Sequence, residues 1–321
     1  MNSRKQGTRK SSDVMETSPD EAAVMEAILS AGDRAAAFEK LIGELRPKLH
    51  RYSARMTGSV IDGEDVLQDA LAKAVEAFSR EAGIAQPQAW LFRIAHNEAI
   101  DFLRRRARHD SIKAEEDLNM VADPVPTTEQ RASAAASLRT FARLPVVQRS
   151  AVILMDVLGY SIEEIGEIIG ATVPAVKAAL HRGRARLREL AAEPDDRTSA
   201  ALTEADRARL AAYAERFNAR DFDAVRDMLA EDVRLELVSR TRMRGDEVRN
   251  YFGNYATVHD WRLAPGQIDG QAAILVYDPN EPGARPTYFV LLEWEDGKLV
   301  EIRDFRHARY AIEDAEIVEV G

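Results

Sequence analysis

The sequence predicts a multidomain chain: two all-α domains, a helical bundle and a helix-turn-helix unit, followed by an α+β domain. Three observations carry this. Apolar residues recur at helical spacing up to about residue 192. From 232 onward the texture changes to short runs rich in Val, Ile and aromatics, VRLELV, WRLAP, AAILVYD, TYFVLLEW and LVEIRDF, separated by Gly, Pro, Asp and Asn. Two polar stretches, SIKAEEDLNMVADPVPTTEQ and AEPDDRTSA, break the chain between these parts. The expected organisation is a disordered tail at 1–20, a helical domain at 21–110, a linker at 111–130, a second helical domain at 131–192, a linker at 193–202 and the α+β domain at 203–321.

Composition narrows the function classes. The chain has 321 residues and no cysteine, which excludes a disulfide framework, a thiol nucleophile and a cysteine-based zinc site. No metal or cofactor is expected. No apolar run reaches the length of a membrane span, and the basic N-terminus MNSRKQGTRKSSD is followed by no apolar core of a secretory signal, so a cytoplasmic protein without membrane insertion is expected. The net charge of −10 is unevenly spread. Residues 1–200 hold 28 Lys/Arg against 30 Asp/Glu, and residues 201–321 hold 16 against 24. Within the first part, RRRAR (104–108) and RGRAR (182–186) are basic and DGEDVLQD (62–69) is acidic. Local patches, rather than the sum, decide binding to DNA.

Taken in order, SVIDGEDVLQDALAKAVEAF (59–78) is an amphipathic helix with an acidic first turn, suited to a protein partner. The helix dipole alone also favours Asp62 and Glu64 there. PQAWLFRIAHNEAIDFLRRRARHD (87–110) winds into a helix with Leu91, Phe92, Ala95, Ala99, Phe102 and Leu103 on one side. Trp90, Arg93, Asn97, Asp101, Arg104 and Arg105 gather on the other. A tryptophan among arginines suits melted DNA, since bases stack on rings while guanidinium holds phosphate; Trp90 is equally suited to a core.

In 152–190, Gly159 ends a helix, and Ser161 with Glu164 has capping-box spacing. Ile162, Ile165, Ile168 and Ile169 form an apolar face, and Gly170 fits a helix end. Thr172 is placed to cap the next helix, with Pro174 in its first turn. On that helix Val176, Ala179, Leu180, Gly183, Leu187 and Leu190 fall in one stripe. Lys177, His181, Arg182, Arg184, Arg186 and Arg188 fall outside it. Two helices across a short turn with a basic second helix predict a DNA-reading helix-turn-helix.

These residues resemble a known family. FEKLIGELRPKLHRYSARMTG, DGEDVLQDALAKAVEAF and AWLFRIAHNEAIDFLRRR are similar to region 2 of the extracytoplasmic-function (ECF) sigma factors of bacterial RNA polymerase. LPVVQRSAVILMDVLGYSIEEIGEIIGATVPAVKAALHRGRARLREL resembles their region 4. The resemblance implies that Glu64, Asp65, Leu67, Gln68 and Asp69 bind the clamp helices of core RNA polymerase. It implies that Trp90, Arg93, Asn97, Arg104, Arg105 and Arg106 act at the promoter −10 element. Thr172, Lys177, His181, Arg182, Arg184 and Arg186 are implied to act at −35. Many members have Gly-Thr-Val-Lys-Ser-Arg where this chain has Pro174-Ala175-Val176-Lys177-Ala178-Ala179, which shifts the contacts to Lys177 and the residues after 180.

ARDFDAVRDMLAEDVRLEL followed by RGDEVRNYF resembles the SnoaL-like cone, an α+β fold around a pocket that a subset of these sigma factors carries as an extension. Tyr213, Trp261, Tyr277, Trp294, Asp304 and His307 are the pocket candidates. Asp304 and His307, three apart, point to opposite faces of a regular strand. The expected function is promoter-specific transcription initiation, with core RNA polymerase and promoter DNA as partners and a C-terminal domain that regulates the activity. The alternative is a SnoaL or ketosteroid-isomerase-like enzyme fused to a DNA-binding module. An anti-sigma factor or a small-molecule ligand of the C-terminal domain would be a further partner.

Overall fold

The computed structural model describes residues 31–80, 84–109, 136–193, 201–252, 261–280 and 285–320. The expected tail at 1–20, the linker at 111–130 and most of the linker at 193–202 lie outside the described residues. The chain divides at Leu45 and Arg46 into two units. In the first, helix α1 (Ala31–Thr57) begins, with Lys40 and Glu44 paired one turn apart. All that follows lies in the second.

Past Arg46, α1 packs against α2 (Val60–Arg80) and α3 (Pro87–His109) around Tyr52, Met56, Leu67, Leu91 and Phe92. Gly63 makes the close approach of α2 to α1: a Cβ there would sit 2.5 Å from the Ala54 backbone. The expected packing side of α3 is buried at Leu91, Phe92, Ala95 and Ala99, while Phe102 and Leu103 are half-buried.

The second helical unit comprises α4 (Leu138–Ala142), α5 (Val146–Val152) running into one π-helical turn (Ile153–Val157), α6 (Ile162–Ile169) and α7 (Val173–Ala192). Its local rules are those of the sequence. Ser161 and Glu164 form a capping box, Gly170 ends α6 at φ 69°, and the Thr172 side chain accepts from Ala175 N. The buried residues of α7 are Val176, Ala179, Leu180, Gly183, Leu187 and Leu190, the predicted stripe.

The third part holds α8 (Glu204–Asn218), α9 (Phe222–Met228) and α10 (Asp246–Tyr251) against a seven-stranded sheet. The strands are β1 (Leu229–Leu237), β2 (Thr241–Arg244), β3 (Arg262–Ile268), β4 (Gln271–Tyr277), β5 (Tyr288–Glu295), β6 (Lys298–Asp304) and β7 (Ile317–Glu319). The order is β2-β1-β6-β5-β4-β3-β7, with β1 and β6 parallel and every other pair antiparallel. The short edge strands β2 and β7 add to the five predicted runs.

Alternation along the strands gives this sheet two working faces. Leu235, Ile274, Val276, Val290 and Ile302 pack inward with Tyr213, Phe217 and Trp261 to form the cone. Ala273, Leu275, Tyr277 and Phe289 face the other way, into a buried cluster with Ala54, Val60 and Ile61 of α1 and α2. The C-terminal domain therefore shares a hydrophobic core with the first helical domain.

Candidate functional site

The acidic face of α2 is covered in part. Glu64 is fully buried. Its Oε1 pairs with Arg46 Nη2 at 2.5 Å, and its Oε2 accepts from the Tyr310 hydroxyl at 2.9 Å. That hydroxyl accepts in turn from Arg46 Nε at 2.7 Å. At the next residue, Arg303 Nη2 reaches Asp65 Oδ1 at 2.5 Å while its Nε binds Glu236 at 3.1 Å. Arg242 bridges Glu236 (2.9 Å) and Gln68 (3.2 Å). Burial pushes the Asp65 carboxyl above its ordinary range, and Arg303 beside it pulls the other way. Leu67 lies in the bundle core, and Asp69 is exposed, 3.9 Å from Arg105.

The helix start is held from the same side. Asp269 and Gly270 make the two-residue β3–β4 turn, both at positive φ (51° and 85°). Asp269 Oδ2 accepts from Val60 N at 2.7 Å and Oδ1 from Glu316 N at 2.9 Å, so a residue of the sheet caps α2. Arg55 donates twice to Asp314, at 2.8 and 2.9 Å, and Arg51 pairs with Glu313. Burial favours the neutral form of Asp314, but the Arg55 hydrogen bonds and charge outweigh it and hold the pKa below the usual value. Arg139, just inside α4, pairs with Glu316 at 3.0 Å, so both helical domains are tied to the C-terminal one.

The inner face of α3 is covered by the second helical domain. The Phe92 and Tyr160 rings meet edge-on with centroids 5.0 Å apart, and Gln88 Nε2 donates to the Tyr160 hydroxyl at 2.7 Å. His96 Nδ1 lies 2.7 Å from the Tyr52 hydroxyl; burial pushes this imidazole down to about 4. Arg149 is almost wholly buried and donates to the carbonyls of Ala142, Leu144 and Met56, the last belonging to α1. Burial pulls its pKa down to about 10. Trp90 is 9% exposed, close to the core side of its two readings, while Arg93, Asn97, Arg104, Arg105 and Arg106 are exposed. Arg106 pairs with Asp62 at 2.9 Å.

On α7, Lys177, Arg186 and Thr172 are exposed and His181 and Arg182 half-exposed. Arg143, Gln148, His181, Arg182 and Arg186 line an open groove between α4–α5 and α7. Arg184 stands apart from this set: its guanidinium grips the buried Asp156 at 2.5 and 2.9 Å, which ties α7 to the π-turn. Ala179 belongs to the packing stripe, so a polar side chain there would meet the core.

The pocket set is corrected. Tyr213, Trp261 and Asp304 line the cone's cavity, with Phe217 and Tyr288. Tyr277 faces the opposite side of the sheet, because it is Val276, one residue earlier, that points inward. Trp294 follows a register shift between Glu293 and Trp294 and lies outside the lining, half-buried. His307 is exposed beside Arg240 on the short 3₁₀ turn after β6. Asp304 and His307 thus form no joint pair. Asp304 is buried among apolar side chains, which pushes its carboxyl up to about 6; Arg306 N donates to it at 2.8 Å. Among the described residues, no cluster of three or more His, Asp or Glu fits a metal ion.

Sequence reasoning missed Arg303, Tyr310, Arg242 and Asp269. The only signal available was their charge or hydroxyl; nothing local shows what lies 200 residues away.

Family models match the three parts in order: Sigma-70 region 2 over 41–109, Sigma-70 region 4 over 137–187 and the SnoaL-like domain over 210–302. The fold therefore defines a two-domain sigma factor with a C-terminal cone. The ECF RNA polymerase sigma factor SigM of Mycobacterium tuberculosis is 38% identical over 160 residues, which cover 50% of this chain and 79% of that protein. The sigma factor CarQ of Myxococcus xanthus is 32% identical, covering 49% and 90%. Among solved structures, the extracytoplasmic-function sigma factor SigJ of Mycobacterium tuberculosis aligns over 83% of this chain and 95% of its own, at 21% identity and a TM-score of 0.32. The chain belongs to the ECF sigma factors, which direct RNA polymerase to promoters. No helix among the described residues is long and apolar enough to cross a membrane.

Proposed function

We propose that this sigma factor rests in a closed form in which its C-terminal cone covers the polymerase-contact face of α2. The carrying observation is that Glu64, Asp65 and Gln68, the residues assigned to the clamp helices of core polymerase by resemblance, are engaged by Tyr310, Arg303 and Arg242. The same groups cannot serve two partners at once. The cone is in this reading a regulatory rather than a catalytic domain, since its acid and its histidine point away from one another. The protein acts in the cytoplasm, where polymerase and DNA are.

DNA geometry supports a closed resting state. The −10 and −35 elements lie about 25 base pairs apart, roughly 85 Å of B-DNA. Here α3 and the helix-turn-helix touch through Phe92 and Tyr160. Simultaneous reading of both elements requires the two domains to part, and Arg149, held by carbonyls of both, is the latch between them. In the open form α7 reads −35 through Lys177, Arg182 and Arg186, and the exposed arginines of α3 serve −10.

The test is run-off transcription with core polymerase, comparing the full chain with one ending at Pro194 on genomic promoter fragments. The shortened chain is expected to give more transcript at limiting polymerase. Equal transcript from both removes the restraining role.

A further inference from the structure

We infer that the groove between α2 and the β1–β2 hairpin is a binding site for a phosphate dianion, free or as the head of a small phosphomonoester, and that the bound group fastens the hairpin to α2. The fastening rests on the closed form proposed above; the site rests on the groove itself.

The ligand class follows from the charge of the walls. Arg46, Arg240 and Arg242 line the groove with Gln68, Ser239 and Thr241. Glu236 is the acid in this lining, and Arg242 and Arg303 both hold it. Two of the three arginines are committed. Arg242 bonds Glu236 and Gln68, and Arg46 gives Nε to Tyr310 and Nη2 to Glu64. Arg240 is exposed and has no carboxylate partner among the described residues. Its Nη1 instead lies 3.3 Å from His307 Nε2. A guanidinium is always charged, so the imidazole meets it as an acceptor and is neutral. Desolvation, and then the charges of Arg240, Arg306 and Arg309, hold His307 below its ordinary pKa. The Ser239 hydroxyl donates to the His307 carbonyl at 3.2 Å, which fixes the turn beside this cluster.

Cations gathered around one imidazole repel one another, and a dianion between them relieves the repulsion. The guanidinium fork and the hydroxyls match phosphate oxygens. The groove holds about 260 Å³, below the range of ~300–1,000 Å³ usual for drug-sized ligands, which suits a phosphate with a short ester. It shares no lining residue with the cavity of the cone.

The fastening follows from where the walls originate. Arg46 comes from α1, Gln68 and Leu71 from α2, and residues 239–242 from the hairpin. The bond from Arg242 to Gln68 across this seam is exposed and 3.2 Å long. A dianion held by Arg240 on one wall and Arg46 on the other adds a charged bridge to it.

The experiment uses the full chain without polymerase. Calorimetry at constant ionic strength and neutral pH compares inorganic phosphate, glycerol phosphate and acetate. Both phosphates are expected to bind saturably with Kd below about 5 mM, and acetate not at all. Arg240→Gln, on an exposed turn, should weaken phosphate binding at least about tenfold and leave the thermal melt unchanged. Added phosphate should move the NMR titration of the His307 ring to higher pH, since a neighbouring anion favours the imidazolium. Hydrogen exchange of the 58–70 segment should slow at least about twofold. No binding, equal binding by Arg240→Gln or an unmoved His307 titration leaves an adventitious ion only and overturns the site. An equal loss of affinity for a short DNA duplex in Arg240→Gln would assign the patch to DNA and overturn it too. Phosphate binding with unchanged exchange overturns the fastening. Because polymerase is absent, this result is independent of the run-off test: equal transcription from the full and shortened chains would remove the restraint and leave the phosphate site standing.

Discussion

Two helix faces carry the chain's expected contacts, and they stand in opposite states. The face of α2 is covered at its centre: Glu64 is wholly buried under Tyr310, and Arg303 holds the half-exposed Asp65 beside it. The outer face of α7 is open: Lys177 and Arg186 are exposed and the groove beside them is unobstructed. Both began as charged helices of ordinary amphipathic pattern. In the proposed closed form this difference puts the restraint on the face of α2 assigned to polymerase by resemblance, and leaves the face of α7 assigned to −35 free. The cone's arginines meet the acids of α2, and its acids meet Arg51, Arg55 and Arg139, so docking uses both signs of charge rather than the domain's net acidity.

Substitutions should separate the two faces by size of effect. Glu64→Gln removes the charge from a buried group bonded to Arg46 and Tyr310, and should lower stability in chemical unfolding by about 1.5–3 kcal/mol. A value near zero would mean the covered face is not energetically coupled to the cone. Of comparable size is a pH effect with two opposing signs. Asp304 has a folded pKa raised to about 6, so its contribution to stability is fully present below the ordinary carboxyl value and lost as pH rises through about 6. Asp304→Asn should therefore stabilise the domain at pH 8, by up to about 3 kcal/mol, and much less at pH 4. Asp314 has a depressed pKa, so its clamp on Arg55 is present above the ordinary value and lost as pH falls below it. Asp314→Asn should destabilise the chain at pH 7 and have little effect at pH 3. Thermal melts of both variants across pH check the signs.

On the open face, effects appear in DNA binding instead of stability. Arg182→Ala should reduce the slope of log affinity against log salt by about 0.9 if one phosphate contact is lost. An unchanged slope would assign Arg182 a solvated role. The smallest effect is expected for Arg186→Ala on stability. Its pair with Glu189 is exposed on both sides, and such pairs contribute about 0–1 kcal/mol.

The contrast also marks what the sequence could carry. The stripe on α7, the capping box at Ser161 and Glu164, the Gly170 stop and the five main strands were legible, because each follows from spacing within about twenty residues. The burial of Glu64 was not. An acidic first turn looks the same whether it faces solvent or a partner, and its partner Tyr310 lies 246 residues on. Arg184 read as one more basic contact because its Asp156 partner lies in the π-turn rather than on its own helix. In the cone, parity decided the pocket: Val276 points in and Tyr277 out, a one-residue distinction that needs the strand register.

The most direct test of the covered face is the affinity of the full chain for core RNA polymerase with and without Arg303→Ala. Arg303 belongs to the cone and touches Asp65, so the change frees a residue proposed to contact polymerase without altering it. Binding tighter by about tenfold or more, equivalent to about 1.4 kcal/mol of released docking, is the predicted result. Unchanged or weaker binding would contradict the account, and would instead make the docked cone part of the polymerase-binding surface.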